Sequence, residues 1–184
     1  MKDKIIIKAA VLEKINKKLK IKNIYHEDNL SKNQVLIKII YTGICGSQIG
    51  EIKGIKGKDK FLPHLLGHEA TGIILKTAKN IKDFKVNDKV ILHWQKNSSR
   101  DSITPKYYDD KLKKINAGWV TTFNNMAIVS KNRITKLPKN LSMKTGILFG
   151  CSLTTSYGSI FKDSKINLSK KNLILITGVG MIGQ

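Results

Sequence analysis

Short apolar runs separated by polar turns occupy most of the chain. Runs that are rich in Ile, Val and Leu and bounded by Asn, Asp, Gly or Lys are typical of β-strands. They predict strands at 5–12, 19–24, 35–42, 71–77, 88–94, 125–130 and 133–137. Many short strands at this spacing indicate a mainly β, barrel-like domain with few helices.

One long polar segment interrupts the series of strands. Residues 95–117 are rich in Lys, Asn, Ser and Asp, so we expect a surface loop that adds little to the core. Farther along, Ser142 is a typical N-cap residue and predicts a helix over 143–161. This boundary divides the chain into a first domain at 1–141 and a second segment at 142–184.

The end of the sequence has a different pattern. Residues 172–177 form a continuous apolar run, which is typical of a strand buried on both faces of a parallel sheet. The run leads into Gly178, Gly180 and Gly183, spaced as in the glycine-rich turn of a dinucleotide-binding fold. In such a turn the glycines allow the tight bend, the approach of the pyrophosphate and the packing of the next helix.

Composition excludes several classes of protein. The 184 residues are 41% hydrophobic and 26% charged, values that are ordinary for a soluble folded protein. The net charge of +21 comes from lysines spread along the whole chain, without the aromatic-interleaved basic stripe of a nucleic-acid binder. The N-terminus has no signal peptide or membrane span. We therefore expect a cytoplasmic protein with neither nucleic-acid nor membrane partners.

Three short segments carry side chains that can bind a metal. Cys45 lies between glycines after a predicted strand, His68 precedes the next strand, and Cys151 lies in the predicted helix. Two thiolates and one imidazole favour Zn²⁺ and leave a fourth position open, as in a catalytic zinc site. Taken singly, Cys45 and Cys151 fit equally as small buried hydrophobic residues, and His68 as a hydrogen-bonded core histidine.

Together and in this order, the three segments resemble the zinc-dependent medium-chain alcohol dehydrogenases. The family motifs GICGSD, GHE and GC-x-x-TT correspond to residues 43–48, 67–69 and 150–155, and residues 83–90 are similar to its DFKVGDKV turn. The resemblance covers nearly the whole chain. It implies a GroES-like β-barrel catalytic domain, followed by the first strand and glycine-rich turn of a truncated Rossmann α/β domain.

The same resemblance implies roles for individual side chains. Cys45, His68 and Cys151 correspond to the zinc ligands, and Glu69 corresponds to the carboxylate beside the metal. Ser47 corresponds to the hydroxyl that accepts the proton of the substrate alcohol. Zinc would polarise the oxygen of a small alcohol, aldehyde or ketone while hydride passes to or from the nicotinamide.

Expectations about cofactor, substrate pocket and assembly also follow from the resemblance. Gly178, Gly180 and Gly183 would bind NAD or NADP in the full-length protein. Trp94 stands where the family places an aromatic residue that lines the substrate pocket, although it also fits as a core aromatic at a strand end. Because family members are commonly dimers or tetramers, we expect a homo-oligomer at full length.

Three features depart from the family pattern. Gln48 replaces the aspartate that orients the metal-bound histidine, which puts the tuning of zinc affinity in question, although a glutamine oxygen can still accept the same hydrogen bond. Gly50 replaces the histidine that ends the proton relay, which leaves water, His64 or His93 as routes. Residues 95–117 contain no cysteine, so we expect one catalytic zinc and no structural zinc.

The sequence ends one residue after the glycine-rich turn. We therefore expect the chain alone to have little or no dehydrogenase activity and to be poorly soluble. The main alternative is a non-catalytic zinc-binding remnant or structural module of the same fold, with a basic nucleic-acid binder as a further one. The zinc-free quinone reductase branch of the superfamily lacks the ligand set, so Cys45, His68 and Cys151 argue against it.

Overall fold

Two antiparallel sheets form the body of the chain in a computed structural model that describes residues 4–164, 166–167 and 169–184. The strands are β1 Lys4–Leu12, β2 Lys20–Glu27, β3 Gln34–Thr42, β4 His64–Leu65, β5 Ala70–Thr77, β6 Lys89–Leu92, β7 Tyr107–Tyr108, β8 Lys114–Ile115, β9 Met126–Ser130 and β10 Ile134–Lys136. One sheet has the order β4-β1-β2-β7-β8, and the other has the order β10-β6-β5-β3-β9.

Side chains that alternate along β3 enter two different core clusters. Val35 and Ile37 pack in one cluster, whereas Leu36 between them packs in the other. Successive side chains of a strand point to opposite faces, so a strand with apolar residues on both faces has to be covered on both. β3 pairs with β5 on one edge and with β9 on the other, which makes it an interior strand. The result is the mainly β, barrel-like domain that the sequence predicts.

All seven strands predicted before Pro138 are present, with ends that differ by a few residues. The pattern missed β4, β7 and β8, which have two residues each. A pair of residues is too short to show the alternation of a strand, so these strands form only because a longer neighbour supplies hydrogen-bond partners.

The expectation that residues 95–117 add little to the core is wrong. Tyr107 is 0% exposed and Ile115 is 1% exposed, and both belong to the core cluster around β1 and β2. The Tyr107 hydroxyl accepts a hydrogen bond from the Ile128 backbone N–H at 3.1 Å. Two apolar side chains in a polar segment are enough to anchor it, because β7 pairs with both β2 and β8.

The single helix predicted over 143–161 is wrong, although its start is confirmed. The Ser142 hydroxyl accepts a hydrogen bond from the Thr145 backbone N–H at 3.0 Å, which caps the first turn. The region contains α2 Met143–Gly146, a 3₁₀ helix Ile147–Gly150, α3 Ser152–Gly158 and a π-helix Ser159–Asp163. None of the helices in the described residues is long and apolar enough to cross a membrane.

The break in this helix falls at Cys151. Its backbone angles, φ −147° and ψ −71°, lie outside the helical region. Gly150 packs so closely that an added Cβ would come within 2.6 Å of the Leu92 carbonyl oxygen and 2.7 Å of the Glu69 Cβ. This tertiary contact pulls the chain away from a continuous helix, and helical periodicity gives no sign of it.

Residues 172–177 have no strand pairing, unlike the strands of the two sheets. Leu173 and Leu175 are almost fully exposed, and Ile174 and Ile176 are about half exposed. A strand is completed by the hydrogen bonds of a neighbour, and no described residue pairs with this run. Its membership of a parallel sheet therefore stays a prediction.

Candidate metal centre

Cys45, His68 and Cys151 come together from three distant parts of the chain. Their ligand atoms, two thiol sulfurs and one imidazole nitrogen, all lie within 4.8 Å of one another. Cys45 immediately precedes α1 Gly46–Ile52, His68 lies between β4 and β5, and Cys151 immediately precedes α3. We call these three residues the Cys-His-Cys cluster. The structure thus brings together the three side chains that the sequence nominated as ligands.

Glu69 lies against the two glycines that flank the cysteines in the sequence. A Cβ added to Gly43 would lie 2.7 Å from a carboxylate oxygen of Glu69, and one added to Gly150 would lie 2.7 Å from the Glu69 Cβ. Real Cβ contacts are not this short, so a side chain at position 43 would displace the Glu69 carboxylate, and one at position 150 would clash with backbone. The motif glycines therefore act here by close packing, which their spacing did not reveal.

Two threonines form hydrogen bonds with the loops that carry the Cys-His-Cys cluster. The Thr42 hydroxyl donates a hydrogen bond to the Glu69 carbonyl at 3.1 Å, and it lies 2.8 Å from the Thr122 hydroxyl. Gly67 has φ +88°, and a Cβ there would lie 2.3 Å from the Thr122 hydroxyl oxygen. Sequence analysis missed these threonines because no local pattern marks a contact between residues 80 positions apart.

The two thiols differ in acidity. Burial raises the pKa of the Cys45 thiol, but hydrogen bonds from Ser47 and Cys151 outweigh it and bring that pKa below its usual value. Burial, followed by the negative charges of Cys45 and Glu69, raises the pKa of Cys151 to about 12. Two thiolates beside a buried carboxylate repel one another, and a bound cation would favour the ionisation of both sulfurs.

One ring nitrogen of His68 is a candidate metal donor. Its Nε2 atom is buried and has no hydrogen-bond partner among the described residues. Burial lowers the pKa of the imidazole, which favours the neutral form that metals bind. A buried polar atom without a partner is costly, and a metal ion at this position would supply one. Together with two sulfurs, this nitrogen completes the donor set that Zn²⁺ prefers.

Gln48 contacts His68 with the opposite end of its amide from the one expected. Gln48 is 3% exposed, and its Nε2 atom lies 2.6 Å from His68 Nδ1. Its oxygen instead accepts a hydrogen bond from the Cys45 backbone N–H at 3.0 Å. The glutamine oxygen therefore does not accept from the imidazole in this structure, because it already accepts from the N-cap residue of α1.

Ser47 lies at the edge of the Cys-His-Cys cluster and is half-buried. Its hydroxyl oxygen accepts a hydrogen bond from Gln48 Nε2 at 3.1 Å. Hydrogen bonds from Ser47 to the Cys45 sulfur lower the pKa of that thiol, although burial opposes them. Near the same cluster, burial raises the pKa of the Glu69 carboxyl. The two nominated catalytic side chains therefore both lie beside the ligand set.

His64 and His93, the alternative proton routes, both form hydrogen bonds with other residues. His64 bonds Asp59 through Nε2 at 2.8 Å and the Leu65 carbonyl through Nδ1 at 3.0 Å. His93 bonds the Thr135 hydroxyl at 3.0 Å and the Gln95 carbonyl at 2.6 Å. The ring nitrogens of both histidines are therefore committed to partners outside the Cys-His-Cys cluster.

Trp94 lies close to the cluster through its backbone. Its N–H donates a hydrogen bond to the Gly150 carbonyl at 3.3 Å, and its side chain is 42% exposed. A cavity of about 400 Å³ reaches Gly150 and is also lined by Phe149, Thr154 and His93. An accessible cavity therefore reaches the residue next to Cys151.

The glycine-rich turn is separate from the metal ligands in the sequence. Gly178 has φ +89°, a backbone conformation that favours glycine, and a Cβ on Gly183 would lie 2.0 Å from the Gly178 carbonyl oxygen. Nothing lies within 4 Å of a Cβ built on Gly180. The turn is compact and leaves open space at Gly180, which is where the sequence placed the approach of a pyrophosphate.

Comparison of the sequence with known proteins identifies its family. Residues 31–139, more than half of the chain, match the family described as alcohol dehydrogenase GroES-like domain. An alcohol dehydrogenase-like protein of Arabidopsis thaliana is 26% identical over 96% of this chain and 52% of its own length. An NAD-dependent alcohol dehydrogenase of Sulfolobus acidocaldarius is 26% identical over 95% of this chain and 52% of its own.

A solved structure shares the fold. The crystal structure of an alcohol dehydrogenase zinc-binding domain protein from Burkholderia ambifaria superimposes with a TM-score of 0.77 at 18% identity, covering 88% of this chain and 50% of that one. The chain thus spans about half the length of the curated relatives that it matches over most of its own length. By the family match, the chain belongs to the alcohol dehydrogenase GroES-like domain family.

Proposed function

We propose that this chain carries the catalytic zinc site of an oxidoreductase that transfers hydride between an alcohol and NAD(P). The observation that carries the proposal is the Cys-His-Cys cluster, in which a buried imidazole nitrogen with no hydrogen-bond partner among the described residues lies beside two thiols. Cys45, His68 and Cys151 would hold the ion and leave a position for a small alcohol, aldehyde or ketone. Bound zinc would act as a Lewis acid toward the substrate oxygen.

Ser47 would accept the proton of the substrate alcohol. Its hydroxyl lies at the cluster edge, where it hydrogen-bonds Gln48 and the Cys45 sulfur, so it is oriented before substrate arrives. Gly50 has no side chain to receive the proton, and His64 and His93 already have partners for both ring nitrogens. The proton would therefore leave from the half-exposed Ser47 hydroxyl to water.

Glu69 would tune the charge of the site. Its carboxyl is buried against Gly43 and Gly150, and its negative charge contributes to the raised pKa of Cys151. A carboxylate beside two thiolates makes the electrostatic potential of the site more negative, and this strengthens the binding of a divalent cation. We therefore assign Glu69 an electrostatic role rather than a place among the ligands.

The cofactor would be NAD or NADP, bound with the help of Gly178, Gly180 and Gly183. The geometry of the turn supports this, since Gly178 has the φ of a tight bend and Gly180 is open to an approaching ligand. We also propose that 142–184 begins the cofactor domain. Residues 172–177 lack a paired strand, so we expect the 184 residues alone to form little or no NAD(P)H with alcohols.

Zinc stoichiometry tests the proposal. Elemental analysis of the purified chain is expected to find about one zinc ion per chain. Cys45→Ser and His68→Ala are expected to lose it, because each removes a ligand. His64→Ala is the matched control, since its ring bonds Asp59 and Leu65 outside the Cys-His-Cys cluster, and it should keep the zinc. A folded wild-type chain without zinc would contradict the proposal.

The orientation of Gln48 favours a second candidate, a non-catalytic module of the same fold. An amide nitrogen facing His68 Nδ1 opposes the tautomer that a metal needs. Such a module would be folded and zinc-free in the experiment above. Retention of zinc by the wild type and by His64→Ala would exclude a zinc-free module, and a zinc-binding remnant would then differ from the enzyme only in lacking activity at full length.

A further inference from the structure

The amide of Gln48 has three polar partners. One of them requires an acceptor, and the other two contact the amide nitrogen. The Cys45 backbone N–H, which can only donate, lies 3.0 Å from the amide oxygen. The amide nitrogen lies 3.1 Å from the Ser47 hydroxyl and 2.6 Å from His68 Nδ1. Turning the amide over would place its NH₂ group against the Cys45 N–H. The N-cap of α1 therefore determines which end of the amide faces His68.

This orientation decides the tautomer of His68. An amide NH₂ group can only donate, so Nδ1 has to accept and the ring proton has to lie on Nε2. That proton then occupies a buried atom that has no acceptor among the described residues. A metal would bind the lone pair of His68 Nε2, but in this tautomer Nε2 carries the proton instead. Without metal, the Gln48 contact holds His68 in a tautomer that cannot bind through Nε2.

We propose that Gln48 is a positioning residue that opposes metal loading of the Cys-His-Cys cluster by setting the His68 tautomer. The inference rests on the proposed function, because it concerns the same site. Binding through Nε2 moves the ring proton to Nδ1, with no change in the number of protons on the ring. The amide then has to turn its oxygen toward Nδ1, and the Cys45 N–H loses its partner. Turning the amide and losing the hydrogen bond to the Cys45 N–H cost free energy, and this cost lowers the affinity for the metal.

A carboxylate at position 48 removes the conflict. In Gln48→Glu, one oxygen can accept from the Cys45 N–H while the other accepts from His68 Nδ1–H. Partners of a ligating histidine typically change metal affinity by about 10- to 100-fold. We therefore expect Gln48→Glu to bind Zn²⁺ and Co²⁺ about tenfold or more tightly than the wild type.

The added negative charge needs its own control. Ile49 is adjacent on α1 and 46% exposed, so Ile49→Glu adds a charge near the site without replacing the amide. Charges exposed to water are strongly screened, and we expect Ile49→Glu to change affinity by less than about threefold. Affinities are measured by titration with Co²⁺, followed by its visible absorption, and with Zn²⁺ in competition. An equal gain in Ile49→Glu and Gln48→Glu would overturn the proposal.

The decisive measurement is the tautomer of His68 in the metal-free wild type. ¹⁵N NMR distinguishes a protonated ring nitrogen from an unprotonated one. In the metal-free wild type we expect the proton of His68 on Nε2, and in metal-free Gln48→Glu we expect it on Nδ1. A proton on Nδ1 in the metal-free wild type would overturn the inference. Should Gln48→Glu not fold, the shift of the proton to Nδ1 when Zn²⁺ is added to the wild type remains the test.

The two proposals fail in different ways. If neither the wild type nor Gln48→Glu binds Zn²⁺, the proposed function and the effect on loading are both overturned. If both proteins bind Zn²⁺ with equal affinity, only the role of Gln48 is overturned. Tighter binding by Gln48→Glu together with the expected tautomers supports both.

Discussion

The β domain and the segment that follows Cys151 bury similar apolar residues to very different degrees. Ile7, Ile24 and Ile37 are 0% exposed within the two sheets, whereas Leu173 and Leu175 are almost fully exposed. The difference lies in their neighbours, since each of the first three belongs to a strand that is paired and covered. An apolar sequence therefore becomes a core only where the fold supplies a second surface.

The Cys-His-Cys cluster lies on the border between these two regions. Cys45 and His68 belong to loops held by the strands, and Glu69 packs against Gly43 and Gly150. Cys151 follows the 3₁₀ helix that joins the β domain to the exposed segment. The positions of Cys45 and His68 therefore depend on the stability of the β domain, and that of Cys151 depends on the packing of Gly150 against it.

The largest expected effect on the free energy of unfolding comes from truncating a buried side chain in the core of the β domain. Tyr107→Ala removes a fully buried ring and the hydroxyl that accepts from Ile128, so we expect a loss of about 3–5 kcal/mol in the free energy of unfolding. The matched control is Tyr157→Ala in α3, where the ring is 65% exposed and a change within about 0.5 kcal/mol is expected. Urea denaturation measures both. Similar losses in the two variants would break the contrast between the regions.

An ion-pair network predicts a smaller, pH-dependent effect in the β domain. Hydrogen bonds from Lys20 and Lys22 lower the pKa of Glu13 to about 2, and Lys22 also reaches Asp109 in the polar segment. Because the folded pKa is below the unfolded value, this contribution is present above pH 4.5 and lost as the pH falls toward 2. Lys20 is largely exposed, so we expect at most about 1 kcal/mol.

Glu13→Gln tests this contribution. The variant should be less stable than the wild type at pH 7, and the difference should disappear near pH 2. Urea midpoints measured across this range give the comparison. A constant difference at all pH values would mean that the ionisation of Glu13 contributes nothing.

The smallest expected effect on stability lies in the exposed segment. Replacing Leu173 and Leu175 together with lysine should change the free energy of unfolding by less than about 0.5 kcal/mol, because neither side chain is buried. The same change should reduce self-association, since it breaks an exposed apolar run. Gel filtration with light scattering measures association, and urea denaturation measures stability. A clear loss of stability would show that this run packs against the β domain.

Much of the molecule was predictable from local patterns. Alternating and β-branched runs predicted the seven longer strands, and the motifs around Cys45, His68 and Cys151 predicted which side chains meet. Such features are readable because they depend on residues that are close in sequence. The two-residue strands, the buried Tyr107 and the broken helix at Cys151 were not readable, because each depends on a distant partner.

The sequence by itself determined which side chains are candidate metal ligands, the mainly β fold and the absence of a cysteine from 95–117. Only the tertiary structure decided how those ligands are held. It showed that Gly43 and Gly150 make room for Glu69, and that the amide of Gln48 presents its nitrogen to His68. Composition sets which groups can bind or ionise, but hydrogen-bond direction and close packing depend on atoms that only the folded chain brings together.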